Sequence, residues 1–222
     1  MDALADLPVD TLLELAGVFF AALSGGLAGV RKSFDVFGVL VLAWATGLGG
    51  GVLRDVLIGA TPPVGISSWE YVATALAAGL VIFFFHPGVE RMRRTVIALD
   101  AWALAFFVLL GTTKGLEHGA GPLASVIVGV LTGIGGGILR DILVGEVPLV
   151  LADRQLYAIP AFLGAGVTAA LWSAGLLGVA TQAGVVLLVS GLRLLSLRLG
   201  WVVPSAATGW SGRWGSRGRM GL

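Results

Sequence analysis

Seventeen residues occur twice in this chain: TGLGGGVLRDVLIGATP at 46–62 and TGIGGGILRDILVGEVP at 132–148 align without a gap at an offset of 86. Eleven positions are identical, and four of the other six exchange one aliphatic residue for another. The same offset carries Glu14 onto Asp100, Phe20 onto Phe106, Gly25 onto Gly111 and Tyr71 onto Tyr157, the last pair being the only tyrosines in the chain. The duplication therefore extends far beyond the motif, and the chain is expected to fold as two like units.

Each unit is built from apolar runs. Of the 222 residues 57% are hydrophobic and 12% charged, against about 45–50% and about 25% in a soluble domain. The mean hydropathy is +0.96. A bilayer-spanning helix needs about 20 predominantly apolar residues. Segments that meet this expectation run over Thr11–Val30, Val36–Ile58, Trp69–Phe85, Thr95–Thr112, Leu123–Val144, Gln155–Leu176 and Thr181–Leu197. Breakers such as Thr61-Pro62-Pro63 and His86-Pro87-Gly88 separate them. The expected fold is an all-α integral membrane protein of seven transmembrane helices. Most of the 35 glycines lie within the apolar runs, with no Gly-X-Y period, as suits membrane helices rather than collagen.

Helices one to three form one copy and four to six the other. An odd number of spans per copy turns the second upside down relative to the first, giving two inverted three-helix repeats plus a seventh helix with a packing or assembly role. The expected layout is an N-terminus over 1–10, repeat 1 over 11–88, repeat 2 over 95–176, the seventh helix over 181–199 and a tail over 200–222. One set of alternate loops carries only Lys114. The other carries Arg31, Lys32, Arg91, Arg93, Arg94, Arg154 and five arginines from Arg193 to Arg219. The positive-inside rule then places the N-terminus outside and the C-terminal tail in the cytoplasm. That tail, rich in Gly, Ser and Arg, is expected to be disordered and able to touch anionic headgroups.

The motif G-x-G-G-G-x-x-R-D places Gly49, Gly50 and Gly51, and again Gly135, Gly136 and Gly137, in mid-helix, at about 1 kcal/mol of helix propensity each relative to alanine. Two readings stand side by side. The glycines permit close helix packing, or they kink or unwind their helices and free backbone carbonyls toward a water-filled path. Arg54-Asp55 and Arg140-Asp141 are charges within apolar helices, which by default face a cavity or a partner. Neighbouring residues point about 100° apart on a helix and pair poorly. Partners are therefore expected on other helices, cross-repeat pairs Arg54–Asp141 and Arg140–Asp55 among them. The alternative is that each pair snorkels to the membrane interface. Lys114 either caps the C-terminus of the fourth helix or stands as a voltage-sensing charge at a pore mouth. Glu14 and Asp100 read as charges near helix ends.

Other chemistry finds little support. There is no cysteine, and His86 and His118 fall at predicted helix ends without a metal-ligand pattern. Both read as interfacial side chains, and no metal site or cofactor is expected. No nucleophile, base and orienter combine into a catalytic set. Phe83 to Phe85, Trp69, Trp102 and Trp201 read as lipid-facing or interfacial anchors, so no nucleic-acid role is suggested. The acidic start MDALADLPVD lacks the basic region of a secretory signal, so the first apolar run is expected to stay in the protein.

The paired GxGGGxxRD motifs in a three-plus-three-plus-one chain resemble the prokaryotic branch of the trimeric intracellular cation (TRIC) channels. The segment Gly29-Val30-Arg31-Lys32, followed by Asp35 and Phe37-Gly38, resembles the family's segment after the first helix. The resemblance covers residues 11 to 176. It implies a homotrimer whose protomers each hold a potassium-permeable pore, lined by helices two and five bent at their triple glycines. It also places Arg54, Asp55, Arg140 and Asp141 on motif positions and Lys114 where the family tends to carry a lysine linked to voltage sensing in animal members. The permeant ion would be K+, the only ligands transient monovalent cations and membrane lipids, and the location the plasma membrane of a prokaryote. A passive cation channel is thus the first expectation, and a secondary transporter of a small solute such as an amino acid the second, since inverted repeats serve both. A non-transporting scaffold would leave the two intramembrane Arg-Asp pairs unexplained.

Overall fold

A computed structural model of the chain describes residues 9–86, 89–152 and 156–201. The described residues are helices and connections: α1 Val9–Arg31, α2 Val36–Leu57, α3 Val64–Ser67, α4 Trp69–Phe85, α5 Val89–Glu117, α6 Pro122–Leu143, α7 Leu149–Ala152, α8 Ala158–Ser173 and α9 Val179–Leu199. Residues 1–8 and the tail from 202 lie outside the described residues. Among the described residues five helices are long and apolar enough to cross a membrane: α1, α2, residues 94–117 of α5, α6 and α9. The apolar α4 and α8 have 17 and 16 residues, at or just below the usual lower limit of about 17. The surface agrees with a lipid environment. Trp69, Phe85, Leu123 and Leu151 are each at least 74% exposed, and soluble proteins rarely leave such large apolar groups together in water.

Local chemistry sets the ends. Asp10 in the first turn of α1 and Arg31 in its last complement the helix dipole. Asp35 caps α2 by accepting from the Gly38 amide at 2.8 Å. Pro122 occupies the first turn of α6, where its missing N–H costs nothing. Helices α2 and α6 end in one and the same way. Gly59 and Gly145, 86 residues apart, take φ of 73° and 70°, and the next amides, of Ala60 and Glu146, bond back to the carbonyls of Asp55 and Asp141 at 2.8 Å. Only glycine adopts this left-handed turn freely. Each turn leads into a short helix, α3 or α7, which the sequence did not predict.

Packing also repeats. Helix α1 lies against α2 and α4 as α5 lies against α6 and α8, and the two sets meet through α1 with α5 and α2 with α6. Phe20 of α1 stacks on Trp102 and Phe106 of α5, at 6.0 Å in both cases. This draws Trp102 into the helix interface rather than leaving it as a membrane anchor. Helix α9 packs on α5 and α8.

At the α2–α6 crossing the triple glycines meet. A Cβ on Gly50 would fall inside the van der Waals radius of the Thr132 carbonyl, and one on Gly136 inside that of the Thr46 carbonyl. Since Thr46 and Gly50 map onto Thr132 and Gly136 at the repeat offset, the contact is reciprocal, as two-fold related surfaces require. Both helices run unbroken through their glycines. The expected unwinding is absent, because the backbone carbonyls stay in the helix ladder, and close packing is the role seen at Gly50 and Gly136.

One link ties loops of the two halves. Glu146 accepts from Arg31 Nη2 at 2.6 Å and lies 3.0 Å from Lys32 Nζ. Partial burial pushes the Glu146 carboxyl up, but the hydrogen bonds and charges of Lys32 and Arg31 outweigh it and hold the group below the ordinary carboxylate value. Its stabilising contribution is complete above the unfolded pKa and is lost as pH falls through the lowered folded value. Glu146→Gln is expected to lower the thermal midpoint at neutral pH by the equivalent of about 1 kcal/mol or less. The gap from wild type should close below about pH 4. A gap that persists or widens in acid would contradict this account of the pair.

Candidate functional site

Two buried polar clusters lie about one turn beyond the crossing glycines Gly50 and Gly136, one in each copy. In the first, the Arg54 Nε donates to Asp55 Oδ1 at 2.8 Å and its Nη1 donates to Glu14 Oε1 at 2.7 Å. Tyr71 donates its hydroxyl to Glu14 Oε2 at 2.6 Å, and the Val64 amide, first of α3, donates to Asp55 Oδ2 at 2.9 Å. In the second, Arg140 Nε donates to Asp141 Oδ1 at 2.8 Å and Nη1 to Asp100 Oδ1 at 2.6 Å. Tyr157 donates to Asp100 Oδ2 at 2.7 Å, and the Leu149 amide, first of α7, to Asp141 Oδ2 at 2.8 Å. Asp55 and Asp141 thus anchor the short helices while neutralising their arginines. Buried charges persist only when paired and hydrogen-bonded in this way.

The clusters differ in what surrounds them. Lys114 of α5 reaches across to the first cluster, its Nζ 3.4 Å from Asp55 Oδ1, so two cations there balance two carboxylates. The second cluster has one arginine between two carboxylates, with Ser24 accepting from Arg140 Nη1 at 2.7 Å. The Arg193 guanidinium lies 4.6 Å from the centre of the Tyr157 ring. Space differs as well. A cavity of about 120 Å³ opens among Asp10, Thr11, Glu14, Thr113, Lys114 and Glu117. Glu14 also lines a smaller space of about 20 Å³ that continues past Gly47, Gly51, Arg54 and Tyr71. This is room for about one water. A Cβ on Gly51 would meet nothing within 4 Å, whereas one on Gly137 would lie 3.1 Å from Asp100 Oδ1 and 3.2 Å from the Tyr157 hydroxyl. The first cluster borders open space beside Gly51 and Glu14, whereas Asp100 and Tyr157 take up the equivalent space beside Gly137.

Several expectations are corrected by this geometry. Arg54 and Arg140 do pair with their own neighbours Asp55 and Asp141, because the arginine side chain is long enough to bend back across the 100° between adjacent positions. The cross-repeat pairs Arg54–Asp141 and Arg140–Asp55 do not occur among the described ion pairs. Partners on other helices exist, but they are Glu14 and Asp100, residues read from the sequence as end-of-helix charges. None of the four motif charges snorkels: Arg54, Asp55, Arg140 and Asp141 are at most 4% exposed. Lys114 lies inside α5, which continues to Glu117 rather than stopping at Thr112. His118 closes that helix, its ring Nδ1 2.9 Å from the Lys114 carbonyl oxygen. The signal that would have found the acids and tyrosines is the repeat itself, which keeps acid-to-arginine and acid-to-tyrosine spacings of 40 and 57 in both copies. Among the described residues no His, Asp and Glu group has the geometry of a metal site.

The profile of a family described as "Glycine transporter" matches the chain twice, over residues 11–87 and 97–173, at the same offset of 86. A UPF0126 membrane protein of Deinococcus radiodurans is 45% identical over 193 residues, 86% of this chain and 88% of that one. The UPF0126 inner membrane protein YadS of Escherichia coli K12 is 35% identical over 68% of this chain and 73% of its own length. The crystal structure of the TRIC trimeric intracellular cation channel orthologue of Rhodobacter sphaeroides superposes with a TM-score of 0.81 at 34% identity, covering 87% of this chain and 99% of that one. The chain belongs to the prokaryotic TRIC family. It is an integral membrane protein that three descriptions meet: UPF0126 and TRIC channel for its relatives, and glycine transporter for the matching family profile. The last two imply different mechanisms.

Proposed function

We propose that the protein is a potassium-permeable monovalent cation channel, a homotrimer with one pore in each protomer. Within the protomer, residues 11–88 and 95–176 form inverted repeats, helix α9 stands outside them, and seven helices span the plasma membrane with the N-terminus outside. The inner-membrane relative and the asymmetry of basic loops support that placement. The observation that carries the reading is a pair of spaces that share Glu14, one at the acidic mouth with Asp10 and Glu117 and a narrower one beside Arg54 and Gly51. Carboxylates at the mouth attract cations, and a water-sized constriction admits a partly dehydrated ion while Arg54 and Lys114 set the barrier. Lys114 sits between the mouth and Asp55, so a field across the membrane acts on it by up to about 2.3 kcal/mol per 100 mV, scaled by the fraction of field it crosses.

The mouth also favours a second reading. One cation and three carboxylates around about 120 Å³ are the groups that a small zwitterion such as glycine would need. The channel reading is preferred because the space beyond Glu14 has the size of a single water. In addition, α2 and α6 are continuous, whereas transporter sites of this architecture use interrupted helices. Reconstitution into proteoliposomes separates the two. A channel gives discrete conductance steps in KCl. Gly51→Leu, whose Cβ would meet nothing within 4 Å and whose remaining atoms would occupy the constriction, should lower the K+ flux at least about tenfold, the effect of a barrier raised by about 1.4 kcal/mol. Lys114→Gln should flatten its voltage dependence. Saturable glycine uptake without conductance steps would establish the transporter instead.

A further inference from the structure

Helices α5 and α9 run antiparallel. Gln182 near the start of α9 donates to Asp10 at 3.2 Å, and Asp10 shares the mouth cavity with Glu117 at the end of α5. The other ends of the two helices come together around a much larger groove of about 610 Å³, lined by Arg94, Ile97, Ala98, Leu194, Leu197 and Arg198. Each helix contributes one face, Arg94 with Ile97 and Ala98 at i+3 and i+4, and Arg198 with Leu197 and Leu194 at i−1 and i−4. Arg94 lies toward the start of α5 and Arg198 toward the end of α9, so both arginines stand at the basic rim and the aliphatic residues lie deeper in the bilayer. Arg94 and Arg198 are exposed. No described acidic residue lines the groove, and neither arginine forms an ion pair with a described residue.

From this arrangement we propose that the α5–α9 groove is a binding site for an anionic phospholipid, Arg94 and Arg198 holding the phosphate and Ile97, Ala98, Leu194 and Leu197 the upper acyl chain. Charge complementarity selects the occupant. Two exposed guanidiniums at headgroup depth, without an ion pair to any described residue, attract phosphate strongly, and the aliphatic walls below them match a hydrocarbon chain rather than water. A soluble phosphate would use the rim and leave the deep walls empty. The groove lies on the opposite side of α5 from the mouth of the proposed pore, in sequence and along the helix. The inference rests on the membrane reading of the fold and is independent of whether the protein conducts.

The test uses the purified full chain in a neutral detergent. Native mass spectrometry counts bound lipid, and thermal unfolding measures the shift produced by phosphatidylglycerol, by phosphatidylcholine and by inorganic phosphate. Phosphatidylglycerol should raise the midpoint and be retained as an adduct, with phosphatidylcholine and inorganic phosphate much weaker. Arg94→Ala and Arg198→Ala should each weaken phosphatidylglycerol binding about fivefold, and the double variant about thirtyfold. Ala98→Trp, which fills the groove and keeps both charges, should abolish the adduct. Arg94→Lys should keep most of the binding, and Lys32→Ala, at a basic loop away from the groove, should keep all of it. Equal shifts from inorganic phosphate would reduce the site to an anion rim and overturn the lipid assignment. Adducts unchanged in the double variant and in Ala98→Trp would overturn the site, as would a change in oligomeric mass with Ala98→Trp and no lipid bound to wild type, which would make the groove a contact between copies of the chain.

Discussion

Gly50→Leu and Gly136→Leu are each expected to leave little or no folded protein in the membrane, while Gly51→Ala is expected to be as stable as wild type. The three glycines are neighbours or repeat equivalents in the same motif, so composition and propensity treat them alike. Geometry does not. At Gly50 even a methyl group would press into the Thr132 carbonyl, and at Gly136 into the Thr46 carbonyl. The obstacle is helix backbone, which cannot swing aside as a flexible side chain can. Relief requires α2 and α6 to separate, and with them the packed pair that joins the two halves. Inserting even small groups into a packed core costs about 1–3 kcal/mol, and leucine at the helix crossing exceeds that range. Gly51 has nothing within 4 Å of its would-be Cβ, and alanine there recovers up to about 1 kcal/mol of helix propensity. Yield of monodisperse protein and its thermal midpoint in detergent decide the matter. A well-folded Gly50→Leu protein would show that the α2–α6 crossing does not hold the halves together.

Much of this architecture was legible in the sequence because it depends on features that periodicity and repetition record directly. Apolar runs of span length gave the long helices, and the 86-residue offset gave equivalent elements in the two copies. Helices α3 and α7 escaped notice because each has only four residues and is held by an acceptor outside itself, the Asp55 or Asp141 carboxylate. The continuity of α2 and α6 was also hidden. Three glycines in a row signal low helix propensity, yet in a bilayer an unsatisfied backbone group is more costly than that deficit, and the partner helix needs the missing Cβ atoms. The motif arginines were found as site candidates, and their acids were not, since Glu14 and Asp100 lie on other helices and sequence distance conceals the contact. The asymmetry between the two clusters was out of reach altogether. It arises from Lys114, whose repeat counterpart is Ala28, and from Tyr157 and Asp100 filling the space that stays open beside Gly51.

That asymmetry makes the second large prediction. Arg140→Ala should destabilise the fold by about 3–5 kcal/mol, the range for breaking a buried ion pair by removing one partner. Asp100 and Asp141 would be left together with one cation removed, where Asp100 and Tyr157 already take up the space beside Gly137. Arg54→Ala should cost distinctly less stability. Lys114 already lies 3.4 Å from Asp55, and Glu14 lines both open spaces, so each remaining carboxylate keeps a counter-charge or room for water. Its main effect should fall on ion flux instead, because the arginine borders the constriction. Neutralising the second cluster as a whole, with Arg140→Met, Asp100→Asn and Asp141→Asn together, should restore most of the stability lost in Arg140→Ala. Asparagine at 141 can still accept from the Leu149 amide that begins α7, and asparagine at 100 can still accept from Tyr157. Thermal unfolding of the three proteins beside wild type, with K+ flux from the same preparations, checks both halves of the argument. Equal destabilisation by Arg54→Ala and Arg140→Ala would mean that the two clusters are energetically equivalent and that the open space beside Gly51 does not hydrate the first.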